Sequence, residues 1–376
     1  MKLSFNKSDL ANAIQIVQSC ISTKSTLPVL SNILVEASAE GKVKLAATDL
    51  EVGVRCTVKA EVLEEGKITV PAKKFGEVIR ELPDHQEITL TCKDGKKVEI
   101  KCGKIKATLN SLSPDDFPVI PEFPEKKAFQ LDKSIFKEMI RKTCFATSTD
   151  ETRYILNGIY FMVNNNELKM VATDGRRLAY VSKDNAQKDL SANVIIPSKA
   201  INELLRLISL NENEKDNKIN IAPFENQISF SWSNNNESIV LISRIIDGTF
   251  PNYEQVIPKS KEIELKIKTE QIFSAVRRAA LFAQDRGGSV RFSFTKNLLR
   301  ISANAQGLGE EEEDLEIDYP GKEFEIAFNP AFLLDILKNN DSAEVQFEFS
   351  TALNPGLIKP ADNDRYLCVI MPMRLQ

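Results

Sequence analysis

One histidine and one tryptophan occur in 376 residues. A site built on several imidazoles is thereby excluded, and an aromatic stacking scheme has little to draw on. The histidine, His85, lies in LPDHQE after a helix-like run and reads as a solvated turn residue. Six cysteines (Cys20, Cys56, Cys92, Cys102, Cys144, Cys368) show no C-x-x-C spacing. That pattern speaks against zinc ribbons and disulfide frameworks and fits buried thiols in a reducing compartment. P-loop and dinucleotide-type glycine loops are absent. No window approaches the roughly 18 uninterrupted apolar residues of a membrane span, and the start, MKLSFNKSDL, has no long apolar run after its Lys. The expectation is a cytoplasmic chain, neither exported nor embedded. Charge of one sign is lacking too: 49 Lys and Arg face 53 Asp and Glu, a net −4 that argues against a generally basic nucleic-acid coat.

What is present is repetition. The composition is that of a globular protein, 42% apolar and 27% charged, and the length suggests two or three domains. Val43-Lys44-Leu45-Ala46-Ala47-Thr48-Asp49 recurs as Leu168-Lys169-Met170-Val171-Ala172-Thr173-Asp174 and more faintly as Leu298-Leu299-Arg300-Ile301-Ser302-Ala303-Asn304. Such self-similarity at a long period is the mark of a repeat architecture.

Two amphipathic helices recur in each repeat, with apolar residues at i, i+3, i+4 and i+7. The first reads Leu10, Ala13, Ile14, Val17, then Phe136, Met139, Ile140, Thr143, then Ile272, Ala275, Val276, Ala279. The second reads Phe75, Val78, Ile79, Leu82, then Ile201, Leu204, Leu205, Ile208, then Leu333, Ile336, Leu337, each introduced by a proline (Pro71, Pro197, Pro330). Runs such as ILVEASAEGKVKLAATD alternate and turn like antiparallel hairpins. The fold class is α+β: three homologous domains, 1–126, 127–257 and 258–376, each made of two βαβββ units in an antiparallel sheet with two helices on one face.

Within helix windows 6–20, 72–82, 132–147, 198–209, 268–284 and 329–340, fourteen Lys and Arg stand against eight Asp and Glu. The helices carry +6, and the sheets and loops −10. Several basic residues share a helix face: Lys73 with Arg80, Lys133 with Lys137 and Arg141, Lys199 with Arg206. Ordinary solvation explains any single helix, but six helices biased alike could line one positive surface that holds a polyanion through its phosphates. Phosphate contacts carry no sequence information, so the polymer could slide.

No catalytic constellation stands out. Thr173-Asp174-Gly175-Arg176 reads as a hairpin turn, and Asp115 and Asp116 as turn formers. Glu310-Glu311-Glu312-Glu313-Asp314 reads as a solvated face or an electrostatic docking strip rather than a metal site. NENEKDNK, 211–218, reads as an exposed polar loop. The ending, Leu367-Cys368-Val369-Ile370-Met371-Pro372-Met373-Arg374-Leu375-Gln376, combines a core strand with a Met-rich stretch suited to a groove that accepts several partners.

Together with TLPVLSNIL (26–34), RYILNGIYF (153–161), ATDGRRLAYV (172–181), DGTFPNYEQVIP (247–258) and the MPMRL ending, these features resemble the beta subunit of bacterial DNA polymerase III, the sliding-clamp family, over essentially the whole chain. The resemblance implies a non-catalytic processivity subunit without cofactors. Its chains pair head to tail into a six-domain ring, with helices lining a hole filled by double-stranded DNA. Implied partners are a second copy of the chain, the replicative polymerase alpha subunit, a clamp loader and other proteins with clamp-binding motifs. The family's peptide pocket carries over to Leu156, Thr173, Gly175, Arg177, Leu178, Pro251, Val256, Val369, Met371, Pro372, Met373, Arg374 and Leu375. Implied DNA contacts are Lys24, Lys73, Arg80, Lys199, Arg206 and Arg278. At the dimer interface, Ala107 and Leu109 would meet Leu281 and Phe282 of the other copy, and Lys74, Lys104 and Lys106 would face Glu310, Glu311 and Glu313. The chain departs from the family in three places. Arg176 stands where histidine is common, Ala107 is smaller than the bulky residue expected, and Gln376 extends past the usual final Leu. A protein-docking scaffold that does not encircle DNA is the alternative, and a hydrolase built on Asp174 or the acidic strip is a third reading.

Overall fold

A computed structural model describes residues 1–21, 27–38, 41–164, 167–184, 191–210, 217–234, 237–283, 288–305, 307 and 309–374. Each third of the chain runs strand, helix, three strands, twice over. The first comprises β1 (Lys2–Asn6), α1 (Lys7–Gln18), β2 (Asn32–Ser38), β3 (Lys42–Thr48), β4 (Val52–Lys59), an extra short β5 (Glu61–Glu64), β6 (Gly66–Pro71), α2 (Ala72–Glu81), β7 (Glu87–Thr91), β8 (Lys97–Cys102) and β9 (Ile105–Asn110). The second comprises β10 (Phe129–Asp132), α3 (Lys133–Cys144), β11 (Gly158–Val163), β12 (Glu167–Thr173), β13 (Arg177–Asp184), β14 (Ala192–Pro197), α4 (Ser198–Ser209), β15 (Lys218–Phe224), β16 (Gln227–Asn234) and β17 (Glu237–Arg244). The third comprises β18 (Ile263–Lys268), α5 (Thr269–Ala279), β19 (Val290–Thr295), β20 (Leu298–Ala305), β21 (Gly309–Glu316), β22 (Phe324–Phe328), α6 (Pro330–Lys338), β23 (Glu344–Phe349), β24 (Gly356–Pro360) and β25 (Tyr366–Ile370).

The local signals act as the sequence predicts. Asn6 caps α1, its side chain accepting from the Ser8 amide at 3.0 Å. Asn329 caps α6 in the same way, with Pro330 in the first turn where a missing N–H costs nothing. The apolar stripes are inside: Leu10, Ala13, Ile14 and Val17 of α1, and Ile272, Ala275, Val276 and Ala279 of α5, are buried. Each fully buried Leu, Ile or Val contributes about 1.5–3 kcal/mol. His85 sits exposed in a turn at φ 63°. Five cysteines are buried and Cys144 is half-buried. Burial pushes the Cys368 thiol up to about 12, so it is an inert core residue.

The chain forms two compact units, residues 1–137 with 199–245 and residues 138–198 with 246–376. They do not coincide with the sequence repeats, because strands of one repeat pair with strands of the next. In the first unit, β17 pairs with β4 in an eight-stranded sheet ordered β10-β15-β16-β17-β4-β3-β2-β6. A second sheet of that unit is ordered β5-β1-β7-β8-β9. In the second unit, β13 pairs with β25 in a sheet ordered β14-β11-β12-β13-β25-β24-β23-β18, beside a four-stranded sheet β21-β20-β19-β22. The single antiparallel sheet expected for each repeat is therefore corrected: every repeat divides its strands between two sheets. Each long sheet joins the first half of one repeat to the second half of the following one, through edges whose backbone groups would otherwise lack partners.

Candidate functional site

The second unit gathers most of the residues implied for a peptide pocket. β13 and β25 place Leu178 opposite Val369 and Arg177 opposite Ile370. Buried Val171, Leu178, Phe250, Leu357 and Val369 form a floor, against which Ile155, Leu156, Tyr160 and Tyr253 pack half-buried. Phe250 stacks on Tyr160, with centroids 5.0 Å apart. Three large apolar side chains stay open to solvent in these segments: Tyr154 (57% exposed), Val256 (49%) and Met371 (43%). Pro251 follows Phe250, and Val256 follows the one-turn helix Tyr253–Gln255. Burial pushes the Tyr253 hydroxyl up to about 12, so it stays a neutral donor.

The Asp174-Gly175 turn is rigid. The Thr173 hydroxyl donates to the Arg177 carbonyl at 2.7 Å and accepts from the Gly175 amide at 3.1 Å. The Asp174 carboxylate accepts from the amides of Arg176 and Arg177. Gly175 adopts φ 84°, and a Cβ there would lie 3.0 Å from a guanidinium nitrogen of Arg153. The segment after β25 is pinned twice, the Met371 amide donating to the Arg176 carbonyl at 2.8 Å and the Met373 amide to the Ala327 carbonyl at 2.7 Å. Pro372 and Met373 are half-buried and Arg374 is exposed, while Leu375 and Gln376 lie outside the described residues.

Arg177 does not offer a free charge. Its guanidinium donates to Asp335 at 2.5 Å, Asp174 at 3.1 Å and the Phe145 carbonyl at 2.6 Å, and lies 4.4 Å from the Phe332 ring. It holds the pocket turn in place. Tyr154, Ile155, Tyr160, Phe250, Tyr253 and Leu357 belong to the site although sequence reasoning did not assign them. Five of them fall in RYILNGIYF and DGTFPNYEQVIP, so their motifs were the available signal.

The basic residues divide sharply. Lys73 and Arg80 are exposed on α2. Lys199 is held by Asp49 at 2.6 Å and Glu51 at 2.7 Å. Arg206 donates to the Ile16 carbonyl at 2.9 Å and is gripped by Glu203. Arg278 forms a two-pronged pair with Glu313, at 2.8 and 2.7 Å. Lys24 lies outside the described residues. The basic row expected on α3 is not a row of free charges: Lys133 is buried and Arg141 pairs with Asp341.

Among the strands that end their sheets in the described residues are β9 in the first unit and β21 in the second. On β9, Ile105 and Lys106 are exposed and Ala107 and Leu109 half-exposed; Lys104 precedes it in the open. Lys106 pairs with Glu99 at 2.5 Å, and Lys74 with Glu77 at 2.7 Å. On β21, Glu310 and Glu312 face solvent, and one buried carboxylate oxygen of Glu311 has no partner among the described residues. Burial and the neighbouring Glu313 raise the Glu311 carboxyl above its ordinary range. Leu281, 61% exposed, and half-buried Phe282 lie just beyond α5.

Family models cover nearly the whole chain: the N-terminal domain of the DNA polymerase III beta subunit matches residues 1–121, its central domain 130–252 and its C-terminal domain 254–374. The chain belongs to this family. It is built of three clamp domains and is 35% identical over 376 residues to the beta sliding clamp of Chlamydia muridarum, spanning 100% of this chain and 99% of that protein. Among solved structures, the DNA polymerase sliding clamp of Bacillus subtilis superposes with a TM-score of 0.94 at 30% identity, and both chains are fully covered. The sliding clamp of Bartonella birtlesii, solved bound to griselimycin, gives 0.93 at 35% identity with both chains fully covered. The three-repeat, α+β reading of the sequence and its resemblance to the sliding-clamp family are thus borne out.

Proposed function

We propose that this beta subunit is a non-catalytic processivity clamp: two copies, head to tail, enclose double-stranded DNA, and the pocket between β13 and β25 tethers the replicative polymerase alpha subunit, the clamp loader and other proteins bearing short apolar-ended motifs. The observation that carries the ring is the arithmetic of strand edges. Two of the three joints that a six-domain circle needs per chain are made within the chain, β17 on β4 and β25 on β13. In each, the last strand of one repeat pairs with the last strand of the preceding repeat's first half. The two strands in those positions that lack a neighbour are β9 and β21. Paired between copies, they complete the third joint of the same kind, a head-to-tail contact made twice, which closes a ring of two chains.

Complementary chemistry supports this pairing. Lys74, Lys104 and Lys106 lie at one edge and Glu310, Glu311 and Glu313 at the other, with Ala107 and Leu109 against Leu281 and Phe282 as the apolar part. Domain limits of 1–126, 127–257 and 258–376 are supported by the family matches, which run 1–121, 130–252 and 254–374. For DNA, exposed Lys73 is the strongest phosphate contact. Lys199, Arg206 and Arg278 must give up carboxylate or carbonyl partners to serve. The cellular setting that follows is the cytoplasm, on the nucleoid.

The test is topological. After loading on nicked circular DNA, the protein should comigrate with the circle in gel filtration and be lost when a restriction enzyme linearises it. Equal retention on both forms would leave a docking scaffold as the better reading.

A further inference from the structure

The repeats let the contacts of the two finished joints be read onto the unfinished one. Aligned by their apolar stripes, the first helices α1, α3 and α5 place Gln15, Arg141 and Arg277 at one position, Ile16, Lys142 and Arg278 at the next, and Ser19, Phe145 and Leu281 beyond the end. The second helices α2, α4 and α6 place Glu77, Glu203 and Asp335 at one position, and Arg80, Arg206 and Lys338 at another.

At the joint within the first unit, Arg206 of α4 covers the carbonyl end of α1. It donates to the Ile16 carbonyl at 2.9 Å and the Gln15 carbonyl at 3.4 Å, reaches the Ser19 hydroxyl, and is oriented by Glu203. The last turn of α1 has no basic residue of its own, so the neighbouring repeat supplies the cation that its unpaired carbonyls and dipole favour. Within the second unit a guanidinium again sits on the end of a first helix. Arg177 donates to the Phe145 carbonyl and is held by Asp335, the counterpart of Glu203. Both joints thus carry an arginine on the carbonyl end of the first helix and a carboxylate from the second helix to aim it.

The third joint has both parts, on different ends. α5 runs out at Ala279 toward exposed Leu281, and α2 carries Glu77 and exposed Arg80. We infer that Arg80, aimed by Glu77, caps the carbonyl end of α5 in a second copy of the chain, donating to the Arg277 and Arg278 carbonyls as Arg206 does to those of Gln15 and Ile16. Arg80 is then an interface residue rather than a phosphate contact. Among the described residues its Nε donates to the Gly76 carbonyl of its own helix alone, at 3.2 Å, and Glu77 is engaged by Lys74, so both can turn to the new partner. Unlike α1, the last turn of α5 holds two arginines; Arg278 is paired with Glu313, which leaves Arg277 as the like charge that the incoming guanidinium must turn aside. This inference rests on the head-to-tail ring.

The test is the dimer dissociation constant, from sedimentation equilibrium, of the full chain, of Arg80→Ala, of Arg80→Glu and of a control, Lys126→Glu, at an exposed turn. Melting temperatures check that each variant folds. Arg80→Ala should weaken the dimer tenfold or more and Arg80→Glu further, with the control like the parent. Should both Arg80 variants dimerise as tightly as the parent, the cap is wrong while the ring stands. A parent that is monomeric at micromolar concentration would remove the ring itself. A second measurement is independent of those variants: Arg80→Cys with Leu281→Cys should give dimers with a short bismaleimide, and Lys126→Cys with Leu281→Cys should not. Equal cross-linking of the two pairs would overturn the cap.

Discussion

Arg177 shows how far a charged residue's position in a motif is from its task. The motif places it in the pocket, and its guanidinium turns instead to Asp174, Asp335 and the Phe145 carbonyl. Charge-assisted bonds of this kind are each worth about 1.5–3 kcal/mol. Arg177→Ala is therefore expected to lower unfolding free energy by about 2 kcal/mol in urea titration, and Arg177→Lys to recover little, since a lysine lacks the planar fork. The same gap between residue and task explains why the basic residues were only partly legible. A sequence gives the number of cations on a helix face but not the carboxylates that fold against them, as Asp49 and Glu51 do on Lys199. Glu311 yields a pH prediction with a definite sign. Its carboxyl is raised in the single chain by burial and by Glu313, and lysines of a second copy would lower it. Association then releases a proton, so the dimer should weaken as pH falls from neutrality toward about 5. Sedimentation at several pH values checks this, and Glu311→Gln should flatten the dependence.

At the scale of elements, helices and hairpins were readable and strand partners were not. The stripe of Leu10, Ala13, Ile14 and Val17, the Asn6 cap and the Asp174-Gly175 turn are local events, decided by residues a few positions apart. The pairing of β13 with β25 is decided by edges that meet only in the finished fold, and nothing near Leu178 announces Val369. The pocket was legible because its pieces lie in motifs, while its aromatic floor, Phe250 on Tyr160, became clear only once those motifs met. Deleting 371–376 should abolish binding of a short apolar-ended peptide in fluorescence anisotropy. It should leave the dimer intact, because β25 ends at Ile370 and keeps its ladder. Unchanged peptide affinity would place the site elsewhere.

For the molecule as a whole, the threefold repetition was the most informative property of the sequence. It gave the number of domains and the two βαβββ units in each, though not the sharing of sheets between repeats. If β9 and β21 join copies through opposed lysines and glutamates, the association should be salt-sensitive, since exposed ion pairs are screened over a Debye length of about 8 Å at physiological ionic strength. Sedimentation in rising sodium chloride should show the dimer dissociating, and an unaffected dimer would point to apolar contacts alone.

The β13–β25 ladder also bears on how the protein is made. β25 lies between β13 and β24 in the interior of its sheet, yet roughly 180 residues separate it from β13 along the chain. During translation the middle repeat emerges with one flank open for many seconds, at about 5–20 residues per second, before the strand that seals it leaves the ribosome. A chaperone or a nascent neighbour has that interval in which to occupy the gap, and a stalled ribosome prolongs it.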